Sequence, residues 1–139
     1  MKITVETIVK ADLETVWRAW NNPADIERWN AASDDWHTTR STVDLREGGT
    51  FSARMEAKDG SEGFDFEGTY TRVVTQELIE YRMEDGREVT AWFTAVPDGT
   101  QVREIFDAET ENEPELQRQG WQAILDNFAG YVEAKAPRS

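Results

Sequence analysis

From Val43 to Asp107 the chain alternates apolar and polar residues almost without a break, punctuated by turn signals. No other feature restricts the fold as much. Side chains two apart on a strand point to the same face, so this pattern means strands with one buried face. Val43 and Leu45 lead to Gly48-Gly49, which reads as a bulge or bend. Phe51, Ala53 and Met55 follow, with Asp59-Gly60 as a hairpin signal. Phe64, Phe66 and Tyr70 come next, with Gly68 between them. Ile79, Tyr81 and Met83 precede Asp85-Gly86. Val89, Ala91 and Phe93 precede Pro97-Asp98-Gly99, and Val102, Glu104 and Phe106 close the run. The β-branched stretch from Ile3 to Val9 adds a strand at the front.

A meander of this length must cover its apolar face. Asp12 fits the N-cap of a helix with Val16, Trp17 and Trp20 on one side. Asn22-Pro23 ends it, and Pro23 begins a second short helix that turns Ile26 and Trp29 inward. Asn30 to Thr39 reads as irregular. A long helix starts near Pro114, where Leu116, Gly120, Trp121, Ile124, Leu125, Phe128 and Val132 recur at helical spacing, and Pro137 lies beyond its end. The expected fold is α+β, one domain over residues 1–139. It has a curved antiparallel sheet of six to seven strands around a long C-terminal helix, with two short helices after the first strand.

A two-residue turn at Asp98-Gly99 pairs Phe93 with Glu104 and Ala91 with Phe106. A one-residue bulge at Asp85-Gly86 then keeps both apolar sets on the helix side. Trp92 and Ile105 fall on the outer face, read either as a homodimer contact or as scattered surface apolar residues.

Composition narrows the function. Fifteen Lys and Arg against 28 Asp and Glu give a net charge of −13. That excludes a nucleic-acid binder and a surface for anionic lipid. With no Cys there is no disulfide, thiolate metal site or Cys nucleophile, and a single His excludes a zinc site built from histidines. No metal and no cofactor are expected. Asp107, Glu109, Glu111, Glu113 and Glu115 read as acidic residues ahead of a helix N-terminus, without the glycine or spacing of a calcium loop. No phosphate-binding glycine loop, GxSxG or HExxH is present. Lys2, Glu6 and Lys10 interrupt the N-terminal stretch, and no apolar run approaches the ~18 residues of a membrane span. A cytoplasmic protein is expected.

A sheet curled around a helix can leave a cavity, and the small residues Ala53, Gly68, Ala91 and Gly120 face that space. Glu104 occupies the inward slot between Val102 and Phe106. A buried carboxylate without partners costs several kcal/mol, roughly, unless paired or protonated. It is therefore a ligand anchor or base, half of a buried pair with Arg54 or Arg103, or a group at an open rim. His37, behind Asp34 and Asp35, is the other acid–base candidate, or a histidine with a structural hydrogen bond. Trp29, Trp36 and Trp121 are candidate walls, Trp121 equally well core. Tyr81 and Met83 would line the same space, with Met55, Phe66, Phe93 and Phe106 from the sheet. Ile124, Leu125 and Phe128 complete the candidate ligand-binding set from the long helix.

Four segments in order also carry a family resemblance. They are Val16-Trp17-Arg-Ala-Trp20 with Asn22-Pro23 and Arg28-Trp29, Asp44-Leu-Arg-Glu-Gly-Gly49, Phe66-Glu-Gly-Thr-Tyr70, and Gly120-Trp121-Gln-Ala-Ile-Leu-Asp-Asn-Phe128. Together they resemble the START-like (SRPBCC, helix-grip) superfamily. Within it they resemble the C-terminal domain of the activator of the heat-shock-protein-90 ATPase. Trp29 to His37 resembles a bacterial branch of small stand-alone members. The resemblance implies a hydrophobic small molecule, aromatic or polyketide- or lipid-like, gripped between helix and sheet. Two alternatives accompany it. One is a cyclase-, dehydratase- or hydrolase-type enzyme using Glu104 and His37. The other, by resemblance alone, is a stress-response module that contacts a chaperone.

Overall fold

The computed structural model describes residues 1–31 and 33–135. Strand β1 (Lys2–Val9) is followed by helices α1 (Leu13–Asn21) and α2 (Pro23–Trp29). Strands β2 (Trp36–Val43), β3 (Thr50–Ala57), β4 (Gly63–Val74), β5 (Leu78–Met83), β6 (Glu88–Val96) and β7 (Gly99–Asp107) form the meander, and α3 (Pro114–Lys135) closes the chain. The seven strands make one antiparallel sheet in the order β1-β7-β6-β5-β4-β3-β2, curled into a half-barrel. The α+β class, the long helix and the two short helices agree with the sequence pattern. Among the described residues no helix is long and apolar enough to cross a membrane. The stop expected at Pro137 lies outside the described residues.

Local chemistry explains the helix ends. The Asp12 side chain accepts from the Thr15 backbone N–H at 3.1 Å, satisfying a free donor of α1. Asn22 ends α1 and caps α2, accepting from Ala24 N–H, while Pro23 supplies a first-turn position that needs no donor. Gly48 takes φ +85°, and a Cβ on Gly49 would lie 2.1 Å from the Asp44 carbonyl oxygen. The bend between β2 and β3 therefore requires glycine. Bulges between Thr38 and Arg40 and between Tyr70 and Arg72 interrupt the ladder where the sheet curls.

Three expectations need correcting. Trp36 to Thr39 are not irregular but open β2, pairing Trp36 with Ala57 and His37 with Glu56. The β6–β7 loop is Pro97-Asp98, with Val96 opposite Gly99, so Ala91 pairs with Glu104 and Phe93 with Val102. The turn moves by one residue because Gly99 is held against β1, where a Cβ would lie 2.1 Å from the Val9 carbonyl. Pairs slide by two residues, so Phe93 and Glu104 still face inward. Leu116 is exposed. Gln117 is buried in its place, donating to the Glu109 and Asn112 carbonyls and accepting from Glu109 N–H. The loop at Asp85-Gly86 does keep both apolar sets inward: Gly86 adopts φ +91° and Tyr81 faces Val89. Trp92 is exposed on the outer face and Ile105 is half-buried there, beside Arg103 and Glu6.

The core lies between the concave face and the helices. Trp29 anchors it by donating its indole N–H to the Ala19 carbonyl at 3.0 Å, which locks α2 on α1. Its ring stacks on Trp20 and meets the edge of Phe128. At the other side of the sheet, Gln122 donates to the Glu6 carbonyl and Glu133 accepts from Lys10 N–H. These bonds hold α3 over β1. The concave face of β3 and β4 is left without a helix on it.

Candidate functional site

That uncovered part of the concave face is a cavity of about 350 Å³. The short helices contribute Trp20, Ile26 and Trp29, and α3 contributes Trp121 and Ile124. The sheet supplies Ser41, Val43, Phe51, Ala53, Met55, Phe64, Phe66, Tyr70, Ile79, Tyr81 and Glu104, and Arg87 stands just before β6. The wall is mostly apolar, with a few polar groups, as is usual for small-molecule sites.

Strand register sets what the sheet presents. Ile3, Phe106, Val89, Tyr81 and Tyr70 form one inward row; Val5, Glu104, Ala91 and Ile79 form the next. Glu104 is the only acidic side chain in these two rows, at 5 % exposure. Neither Arg54 nor Arg103 is its partner: Arg54 bonds Glu56 and Asp65, and Arg103 faces Glu6 outside. Burial pushes the Glu104 carboxyl up to about 8. Tyr81 is raised by burial and then by the nearby Glu104 carboxyl; Tyr70 is pushed up to about 12 by burial and then by Asp44. All three groups therefore hold their protons more tightly than they would in water.

Of the residues expected at a ligand, the cavity brings together Trp29, Met55, Phe66, Tyr81, Glu104, Trp121 and Ile124. The others lie elsewhere, each for a visible reason. Phe106 faces inward but Trp121 stacks over it at 4.0 Å and 10°. Phe128 is enclosed by Trp20 and Trp29, and Phe93 by the edges of Trp17 and Trp20. Leu125 and Met83 are buried in the core cluster. Trp36 packs on Phe64 beyond the cavity wall. His37 pairs with Glu56, whereas the inward Met55 pairs with Thr38, so His37 points to the outer face. Glu104 and His37 stand on opposite faces, and the expected acid–base pair is not assembled. Of the small residues, Ala53 reaches the cavity; Gly68 lies under the Phe51 ring.

The sequence reading omitted Phe51, Tyr70, Ile79, Ser41, Phe64 and Arg87 from the site. Alternation already turned Phe51, Tyr70 and Ile79 inward. Arg87 carries no such signal, since it follows a turn, where its Nε donates to Asp85 at 2.7 Å. Among the described residues no group of three His, Asp or Glu side chains could hold a metal ion.

Comparison with known proteins agrees with this architecture. Residues 10–133 match the family model described as Activator of Hsp90 ATPase homolog 1-like protein. The chain belongs to this family. It is similar to an AHSA1-like protein from Aeromonas hydrophila, with 56% identity over 97% of this chain and 94% of that one and a TM-score of 0.91. A Cytophaga hutchinsonii protein shows 51% identity over 96% and 93% of the two chains, with a TM-score of 0.83. A Nitrosomonas europaea protein of 16% identity, over 97% and 96%, shares the fold with a TM-score of 0.83. No curated protein matches. The fold is thus shared at low sequence identity, and the cavity wall must be read residue by residue.

Proposed function

We propose that this AHSA1-like protein binds a small hydrophobic molecule, aromatic or polyketide- or lipid-like, in the cavity between α3 and the sheet. The observation that carries this reading is the cavity itself: about 350 Å³ walled by Trp20, Trp29, Phe51, Phe66, Tyr81 and Trp121. Rigid aromatic walls offer large contact area at little entropic cost. A thermal-shift screen of apolar aromatic, lipid and polyketide-like compounds tests it, with tryptophan fluorescence as the second readout. Ligand at 100 times its Kd stabilises by roughly 2.7 kcal/mol. Trp121→Leu and Tyr81→Ala should weaken a hit while the folded spectrum persists. A broad panel without a hit refutes the reading. Product analysis after incubation, with Glu104→Gln as control, separates a binder from an enzyme.

The family description supports a second reading, a chaperone ATPase-activator-like module of the stress response. Its mark is loss of a chaperone interaction in surface variants while cavity variants stay silent.

A further inference from the structure

The polar groups on the cavity wall from β4 to β7 are Tyr70, Tyr81, Arg87 and Glu104, and each has a hydrogen to donate. Arg87 can only donate. The two phenols and a carboxylic acid each hold a hydrogen that needs an acceptor. Nothing among the described residues accepts from Tyr70, Tyr81 or Glu104. No buried side-chain polar atom there is sealed in protein without a partner, so these oxygens open onto the cavity. What faces Glu104 does not bond it. Val5 and Ala91 are its cross-strand partners, and Trp121 and Ile124 come from α3. The titratable or charged groups on its side of the cavity are Tyr81, Tyr70 and Arg87; Arg87 has no acceptor, and neither phenol oxygen accepts from Glu104 in the fold.

We infer that the molecule bound here presents an acceptor oxygen, of the carbonyl type, to the Glu104 carboxyl and the Tyr81 hydroxyl, with its apolar body against Phe51, Phe66 and Trp121. The inference rests on the cavity reading above and specifies the ligand's polar end. A carboxylic acid held neutral by an apolar site donates a hydrogen bond. A cationic head fits worse: Arg87 stands on the same wall, and Glu104 would have to ionise against its own burial.

Three naphthalenes of nearly one shape test this, titrated by tryptophan fluorescence and amide NMR shifts. They are 2-acetylnaphthalene, 2-isopropylnaphthalene and protonated 1-(2-naphthyl)ethylamine. At about pH 6.5 the ketone should bind at least about tenfold tighter than the hydrocarbon, one good hydrogen bond's worth, and tighter than the amine. Tyr81→Phe should cut the ketone's advantage severalfold and leave the hydrocarbon unchanged. Near pH 9 the advantage should shrink in the parent protein but persist in Glu104→Gln, whose amide still donates. Equal binding of ketone and hydrocarbon, or tightest binding of the amine, overturns the inference while leaving the cavity reading intact. Binding of none of the three overturns the cavity reading, and the inference with it.

Discussion

Replacing Glu104 by Gln should change how stability depends on pH, and the direction follows from the environment of this one carboxyl. In the unfolded chain it titrates near its ordinary 4.5; in the fold, burial pushes it up to about 8. Below the unfolded value both states hold the proton, and the full contribution is present. Between 4.5 and about 8 the unfolded chain releases the proton and the fold does not, so stability falls as pH rises, by up to roughly 1.4 kcal/mol per unit. Above about 8 the loss is complete, and over the whole window it approaches about 5 kcal/mol as an upper bound. The paired carboxylates act in the opposite direction. Asp107, bonded to Lys2, and Asp85, bonded to Arg87, are held below their usual range and add stability as pH rises through the acid region. They are the same in both proteins and cancel in the comparison. Urea unfolding of wild type and Glu104→Gln at pH 5, 6 and 7 isolates the difference. From pH 5 to 7 the variant should gain on wild type by roughly 2–3 kcal/mol. With a urea m-value of about 1–3 kcal/mol/M, that is a relative shift of about 1 M or more in midpoint. Carbon-13 NMR should show the Glu104 carboxyl titrating near 8. Parallel stability profiles, or a carboxyl that titrates near 4.5, would refute the reasoning.

Two glycine substitutions should differ in sign. Gly120→Ala places a Cβ in open space on α3 and should stabilise by up to about 1 kcal/mol, whereas Gly49→Ala meets the Asp44 carbonyl and should cost about 1–3 kcal/mol, both read from urea midpoints. Trp29→Ala removes the bond to the Ala19 carbonyl and the contacts with Trp20 and Phe128, and calorimetry should show a loss of about 3–5 kcal/mol. Asp12→Ala leaves the Thr15 N–H without its acceptor, and a loss of about 1 kcal/mol is expected in urea unfolding.

The fold was legible where the chain states its own period. Alternation from Val43 to Asp107, the Asp12 and Asn22-Pro23 signals and the stripe from Trp121 to Val132 each match an element. The departures have local causes. Strand β2 runs along the sheet edge under α2, and its bulge after Thr38 breaks the alternation that would have marked it. Asp98-Gly99 looks like a hairpin turn, but Gly99 is committed to a close approach on Val9. Leu116 fits the helical stripe, yet the loop after β7 needs the Gln117 amide to satisfy its backbone. The site was legible only in part. Alternation says which side chains face inward; it does not say which of them a helix then covers. That depends on where α3 lies, which is set by contacts such as Gln122 to Glu6 and Glu133 to Lys10, between residues far apart in the chain. Phe106 is therefore core under Trp121 of α3, and Phe93 is core under Trp17 and Trp20 of α1, while Phe66 and Tyr81 are wall.

The placement of α3 also explains why Glu104 can exist where it does. Had the helix covered the whole concave face, a carboxyl in the row of Val5, Ala91 and Ile79 would be sealed among apolar groups, at a cost of several kcal/mol, roughly. With α3 held over β1, that carboxyl borders open space instead, and keeping its proton limits the cost further. What remains is a donor without an acceptor. Apolar side chains in the same row would remove that remaining cost and strengthen the core, but they would take from the cavity wall the acid donor that stands beside Tyr70, Tyr81 and Arg87. The cavity and the unpartnered carboxyl thus belong together: an apolar, mostly aromatic wall, and on it an acid group without a protein acceptor, which is the arrangement the proposed binding of an apolar molecule with an acceptor oxygen would use.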